Sequence, residues 1–138
     1  MMRRALITSL CLFASPAMAE LEVVIVEGLG GEPRYAEQFA EQVSAIEAAA
    51  GTLTQAGRIA VFRSGEFGRD ELIAHFEEVS TRIGADDRLA VFLVGHGSYD
   101  DHEYKFNIAG PDITDTDLRD VLEGAGGRST LLVNTSSS

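Results

Sequence analysis

The run Arg88-Leu89-Ala90-Val91-Phe92-Leu93-Val94-Gly95-His96-Gly97 decides the fold. Its unbroken apolar stretch, of strand length and rich in Val, Leu and Phe, matches a strand covered on both faces, as in a buried parallel sheet. The first polar side chain beyond it, His96, is therefore delivered to the sheet rim. Gly95 and Gly97 allow a sharp turn there and predict room for a ligand to approach the backbone closely. A hydrogen-bonded structural histidine at a strand end fits the same residues.

Working outward, Leu21-Glu22-Val23-Val24-Ile25-Val26 reads as a second buried strand, and Ile59-Ala60-Val61-Phe62 as a shorter one. Pro33 opens a helix in which Tyr35, Phe39, Val43 and Ile46 share a face, ending near Gly51. Leu72, Ile73, Phe76, Val79 and Ile83 form the stripe of a second helix, with Asp70 as its expected cap and Gly84 as its stop. Tyr104 to Ile108 alternates as an exposed hairpin arm would. Thr114 with Asp117 makes a capping-box pattern for a third helix, with Gly124 past its end, and Ser129 to Asn134 reads as a last strand. Strands alternating with helices imply right-handed crossovers: an α/β three-layer sandwich with a mainly parallel central sheet. Ligands of such folds bind beyond the carboxyl ends of the strands, where Gly28 to Pro33 and Gly95 to Ser98 both fall. A core strand running straight into Thr135-Ser136-Ser137-Ser138 is read as a domain incomplete at its C-terminal side.

Residues 1–19 carry Arg3 and Arg4, a short apolar stretch and Ala17-Met18-Ala19, which is the pattern of a secretory leader cleaved before Glu20. The expectation is a periplasmic or secreted protein, one domain over residues 20–138, with no membrane association after cleavage. Cleavage removes Cys11, leaving no thiol, disulfide or cysteine metal site. It also removes two positive charges from a chain of net charge −11, giving −13. That charge argues against nucleic acid as a partner.

The Gly28-Leu29-Gly30-Gly31 loop invites a small-molecule or nucleotide reading, but Pro33 stands where a third dinucleotide-binding glycine belongs, and no Gly-Lys-Ser/Thr follows. His96, His102 and Asp100-Asp101 lack a metal-ligand spacing and read as solvated loop residues, so neither a metal nor a cofactor is expected. His75 reads as a packing residue at the edge of its helix stripe. If the last strand lies beside the one ending at His96, the hydroxyls of residues 135–138 share its rim in a nucleophile-and-base arrangement, with the Gly97 N–H as an oxyanion donor. A flexible polar tail is the alternative for those serines.

In order and spacing these blocks resemble the caspase and legumain superfamily of cysteine peptidases. Leu89–Val94 with His96-Gly97 resembles its histidine strand. Leu131–Val133 with Asn134-Thr135-Ser136, 40 residues after His96, resembles its cysteine strand, against about 50 in caspases. The opening strand with Pro33-Arg34-Tyr35, and Asp112-Ile113-Thr114 with Asp117-Leu118, are similar to legumain segments. The resemblance implies His96 as general base, Gly97 as oxyanion donor, Ser136 in the nucleophile position and Arg34 in the specificity pocket. Serine where the family has cysteine is the main departure. A hydroxyl is far more basic than a thiol, so the expected function is a non-catalytic binding or regulatory module for a peptide or protein. A hydrolase using Ser136 or Ser137 with His96 is the alternative.

Overall fold

A computed structural model describes residues 18–135, and only the backbone course from residue 129 onward. The predicted leader thus lies almost wholly outside the described residues, as do Ser136, Ser137 and Ser138. Four strands form one parallel sheet: β1 (Leu21–Glu27), β2 (Ile59–Phe62), β3 (Arg88–Gly95) and β7 (Arg128–Thr135), in the order β2-β1-β3-β7. Helix α1 (Pro33–Ala50) covers one face, and α2 (Arg69–Arg82) and α3 (Asp115–Gly124) cover the other.

Alternation along the strands explains the three layers. Val23 and Ile25 of β1, with Val94 of β3, pack against Phe39, Val43 and Ala50 of α1. Val24, Val26, Leu89, Val91 and Leu93 face the opposite way, onto Leu72, Phe76 and Val79 of α2 and Leu118 of α3. The α/β sandwich expected from the apolar runs is therefore the fold observed.

A small antiparallel sheet, β4 (Gly97–Tyr99), β5 (Tyr104–Phe106) and β6 (Ile113–Thr114), sits between β3 and α3. The hairpin arm is present but not exposed as expected: Phe106 and Ile108 are buried in the α2-side core, and only one face of the arm sees solvent. The expected cap of α2 also moves. The helix begins at Gly68, whose carbonyl accepts the Leu72 N–H at 3.1 Å, so Asp70 lies in its first turn. It ends at Arg82 because Ile83 returns to extended backbone before Gly84 is reached, and α3 runs one residue further than expected, to include Gly124.

The predicted capping box is present. Thr114 Oγ1 accepts the Asp117 N–H at 3.1 Å and Asp117 Oδ2 accepts the Thr114 N–H at 3.0 Å. Asp117 also receives both Nε and Nη2 of Arg69, joining the starts of α2 and α3. The Arg69 guanidinium, opposed by partial burial and aided by the Thr114 backbone N–H and hydroxyl, holds the Asp117 carboxyl below its ordinary range.

Two predictions follow from these contacts. Thr114→Ala removes a cap and lowers stability by about 1 kcal/mol in urea denaturation. Because the Asp117 pKa is depressed on folding, its stabilisation is complete above the ordinary carboxylate range and is lost as pH falls through the folded value. The acid limb of a Tm-against-pH curve should therefore flatten in Asp117→Asn; an unchanged limb contradicts the assignment.

Candidate functional site

The chain leaves β1 toward α1 on one face and leaves β3 toward the hairpin and α3 on the other. The carboxyl ends of these adjacent strands thus form the topological switch point, where ligands of open α/β sheets bind. At this point the two exits are stitched together: the Gly28 N–H donates to Val94 O at 2.8 Å, Leu29 N–H to Asn107 O at 2.9 Å, and Asn107 N–H to His96 O at 3.0 Å.

The glycines here serve that stitching, which corrects the expectation of open room beside His96. A Cβ on Gly95 would lie 2.9 Å from Gly28 Cα and 3.0 Å from the Phe106 ring. One on Gly97 would run into the Tyr104 ring, 2.7 Å from Cε2. The nucleotide reading of the first loop gains nothing either. A Cβ on Gly28 would meet Asn107 O at 2.8 Å, one on Gly30 would meet the Ala36 backbone, and only Gly31, at φ +69°, faces open space. Close approach is thus required, but by protein atoms.

His96 is half-buried and held from three sides. Its Nε2 lies 3.2 Å from Gly30 O, and its ring meets Tyr35 and Phe39 edge-on, with centroids 4.9 and 5.1 Å away. A carbonyl oxygen only accepts, so this contact places a hydrogen on Nε2 and, in the neutral ring, the basic lone pair on Nδ1. Tyr35 and Phe39, expected only as part of the α1 stripe, therefore also aim the imidazole. The sequence gives no signal of that contact, since it depends on how α1 lies over the end of β3.

Register places the last strand beside it. β3 and β7 are adjacent and parallel, with Gly95, the residue before His96, opposite Thr135. Ser136 itself lies outside the described residues. Gly97 opens β4 opposite Phe106. Because Asn107 donates to His96 O, this is a non-hydrogen-bonded pair, and the Gly97 N–H points away from β5. Arg34 is on the first turn of α1, with its guanidinium 4.4 Å over the Tyr35 ring, bonded to Tyr35 Oη at 2.8 Å and paired with Glu32 at 3.1 Å. It is largely solvent-exposed and reaches His96 only through Tyr35.

The other polar residues singled out from the sequence lie apart from this arrangement. Asp100 shapes the hairpin loop, accepting from the His102 and Glu103 N–H groups and from Lys105 Nζ at 3.0 Å; Lys105 first, then those N–H groups, hold its carboxyl below the ordinary range. No metal-binding cluster occurs among the described residues. His75 packs on Phe62 with its Nε2 buried, and burial, with Arg82 nearby, lowers its pKa. A cleft of about 280 Å³ lies between α2 and α3, lined by Ile73, Phe76, Val121 and Asp120 and by none of the residues around His96.

No protein-family description matches the chain, and no curated protein sequence does. Among solved structures it is similar to protein GSU0716 from Geobacter sulfurreducens, with a TM-score of 0.59 at 15% identity over 86% of this chain. The chain spans 50% of that protein's length. At this identity the likeness is one of fold. No helix among the described residues is long and apolar enough to cross a membrane.

Two measurements check this geometry. Ring nitrogen shifts of the neutral His96 ring should report the Nε2–H tautomer, and a neutral ring carrying its hydrogen on Nδ1 would refute the Gly30 contact. Gly95→Ala should cost about 1–3 kcal/mol by overpacking against Gly28 and Phe106, while Gly57→Ala, which faces open space, costs nothing or stabilises.

Proposed function

We propose that this chain is an exported domain of the caspase and legumain type whose nucleophile position is serine, acting as a binding or regulatory module for a peptide or protein rather than as a cysteine peptidase. The observation that carries the proposal is the pairing of Gly95 with Thr135 on adjacent parallel strands. In sequence His96 follows the first of these residues and Ser136 the second.

Three features support it. His96 is buttressed by Tyr35, Phe39 and Gly30, as a residue with a fixed orientation needs to be. The Gly97 N–H is turned away from its hairpin partner, in the sense an oxyanion donor requires. Leu29, on the loop after β1, and Tyr99, at the end of β4, hold large apolar side chains 40% and 67% exposed, a surface suited to a peptide. Arg34 adds a positive charge beside Tyr35 for a peptide carboxylate.

Serine decides between binding and catalysis. Beside a neutral imidazole a thiol gives up its proton near neutral pH, whereas a hydroxyl must be deprotonated as it attacks. A site arranged for a thiolate supplies little of that help. The hydrolase alternative takes Nδ1 of His96 as the base for Ser136, with the Gly97 N–H receiving the developing oxyanion.

Wild-type protein should show no fluorophosphonate labelling and no peptide turnover. Ser136→Cys should acquire reactivity toward a peptide probe directed at thiols, at least tenfold above Ser136→Cys combined with His96→Ala. Labelling of Ser136 that depends on His96 would favour the hydrolase. A cysteine at position 136 that reacts independently of His96 would remove the peptidase kinship.

A further inference from the structure

At the amino ends of the strands, opposite the His96 rim, Asp87 ties three chain segments together. Its Oδ1 accepts the Glu20 backbone N–H at 2.8 Å and its Oδ2 accepts the Gly84 N–H at 2.7 Å. Its main-chain carbonyl accepts the N–H of Arg128, the first residue of β7, at 3.1 Å. The contact extends on both sides of Glu20: its carbonyl accepts the Arg88 N–H at 2.8 Å, and its side chain pairs with Arg58.

We infer that Asp87 is the seat of a new amino terminus, created by cleavage between Ala19 and Glu20 and held as an ion pair. This rests on reading residues 1–19 as a leader. Hydrolysis breaks the Ala19–Glu20 amide: water gives its hydroxyl to the Ala19 acyl carbon and a proton to the Glu20 nitrogen, which takes up a second proton at neutral pH. A neutral amide with one hydrogen thereby becomes an ammonium with three, at the place where a carboxylate oxygen already stands 2.8 Å away. A bond already assisted by the carboxylate's charge thereby becomes one between two opposite full charges. Ala19 and Met18 are solvent-exposed, Met18 by 81%, so their removal uncovers no packed surface.

The charges around that nitrogen fit the assignment. The turn before β3 presents Asp87. The short 3-10 turn Ala56–Arg58 presents Arg58, which is shared between Glu20 and Glu22, and Glu22 is in turn bound by Arg82 of α2. The Glu20 and Glu22 carboxylates are thus already matched by arginines, and Asp87 is the acid that faces the nitrogen directly. The Arg88 side chain on β3 is exposed.

The experiment starts with the full chain, exported and purified, whose intact mass gives its first residue. A terminus other than Glu20 would refute the leader reading. The seat is tested separately, with protein beginning at Glu20 and protein beginning at Met18, each with and without Asp87→Asn. Asp87→Asn should lower the Tm several degrees further in the Glu20 form than in the Met18 form. In the Glu20 form the terminal amine should titrate toward an amine-reactive probe about one pH unit above the ordinary α-amino range, and Asp87→Asn should return it there. Equal Tm losses with an unshifted amine would overturn the proposal. If Asp87→Asn fails to fold, the amine titration of the wild-type Glu20 form decides alone.

Discussion

The approach of β1 and β3 at their carboxyl ends governs everything above it. Gly28 and Gly95 touch backbone to backbone, and no residue with a side chain fits either place. That contact lets the Phe106 ring lie against both strand ends and fixes the hairpin that carries it. The hairpin, bonded through Asn107 to Leu29 and His96, then determines where the imidazole starts and where the Gly97 amide points. The rim is precise because it is built from main-chain atoms, which have no rotamers to sample.

Much of this was legible in the sequence, for a physical reason. Strands buried on both faces must be apolar throughout, and amphipathic helices must show a stripe, so β1, β3, α1 and the capping box of α3 were readable from local pattern. What escaped was set by contacts distant along the chain. Phe106 and Ile108 alternate with polar neighbours as an exposed arm would, and only docking onto the α2-side core reveals which face is buried. The glycines around His96 showed that something comes close without showing that it is the protein itself. No motif in the sequence singles out Asp87, although it binds Glu20, Gly84 and Arg128.

The two ends of the sheet do different kinds of work. At the carboxyl end, carbonyls, amides and aromatic edges surround the histidine, with the Glu27–Arg63 and Arg69–Asp117 ion pairs holding neighbouring segments. At the amino end the contacts are ionic, with Glu22 almost wholly buried between Arg58 and Arg82 and with Asp87 on the turn that leads into the neighbouring strand. A peptide or protein ligand bound at the His96 rim would therefore meet a surface whose shape is held largely by backbone geometry.

Glu22 carries a further consequence for how such a chain can change over generations. A carboxylate with 1% exposure, held by two guanidiniums, tolerates the loss of neither arginine easily, since each loss halves its compensation in a poorly solvated place. Glu22, Arg58 and Arg82 should be inherited or replaced as a block, and descendants that exchange the trio for apolar residues of similar volume would keep the fold while giving up an ionic signature of common ancestry.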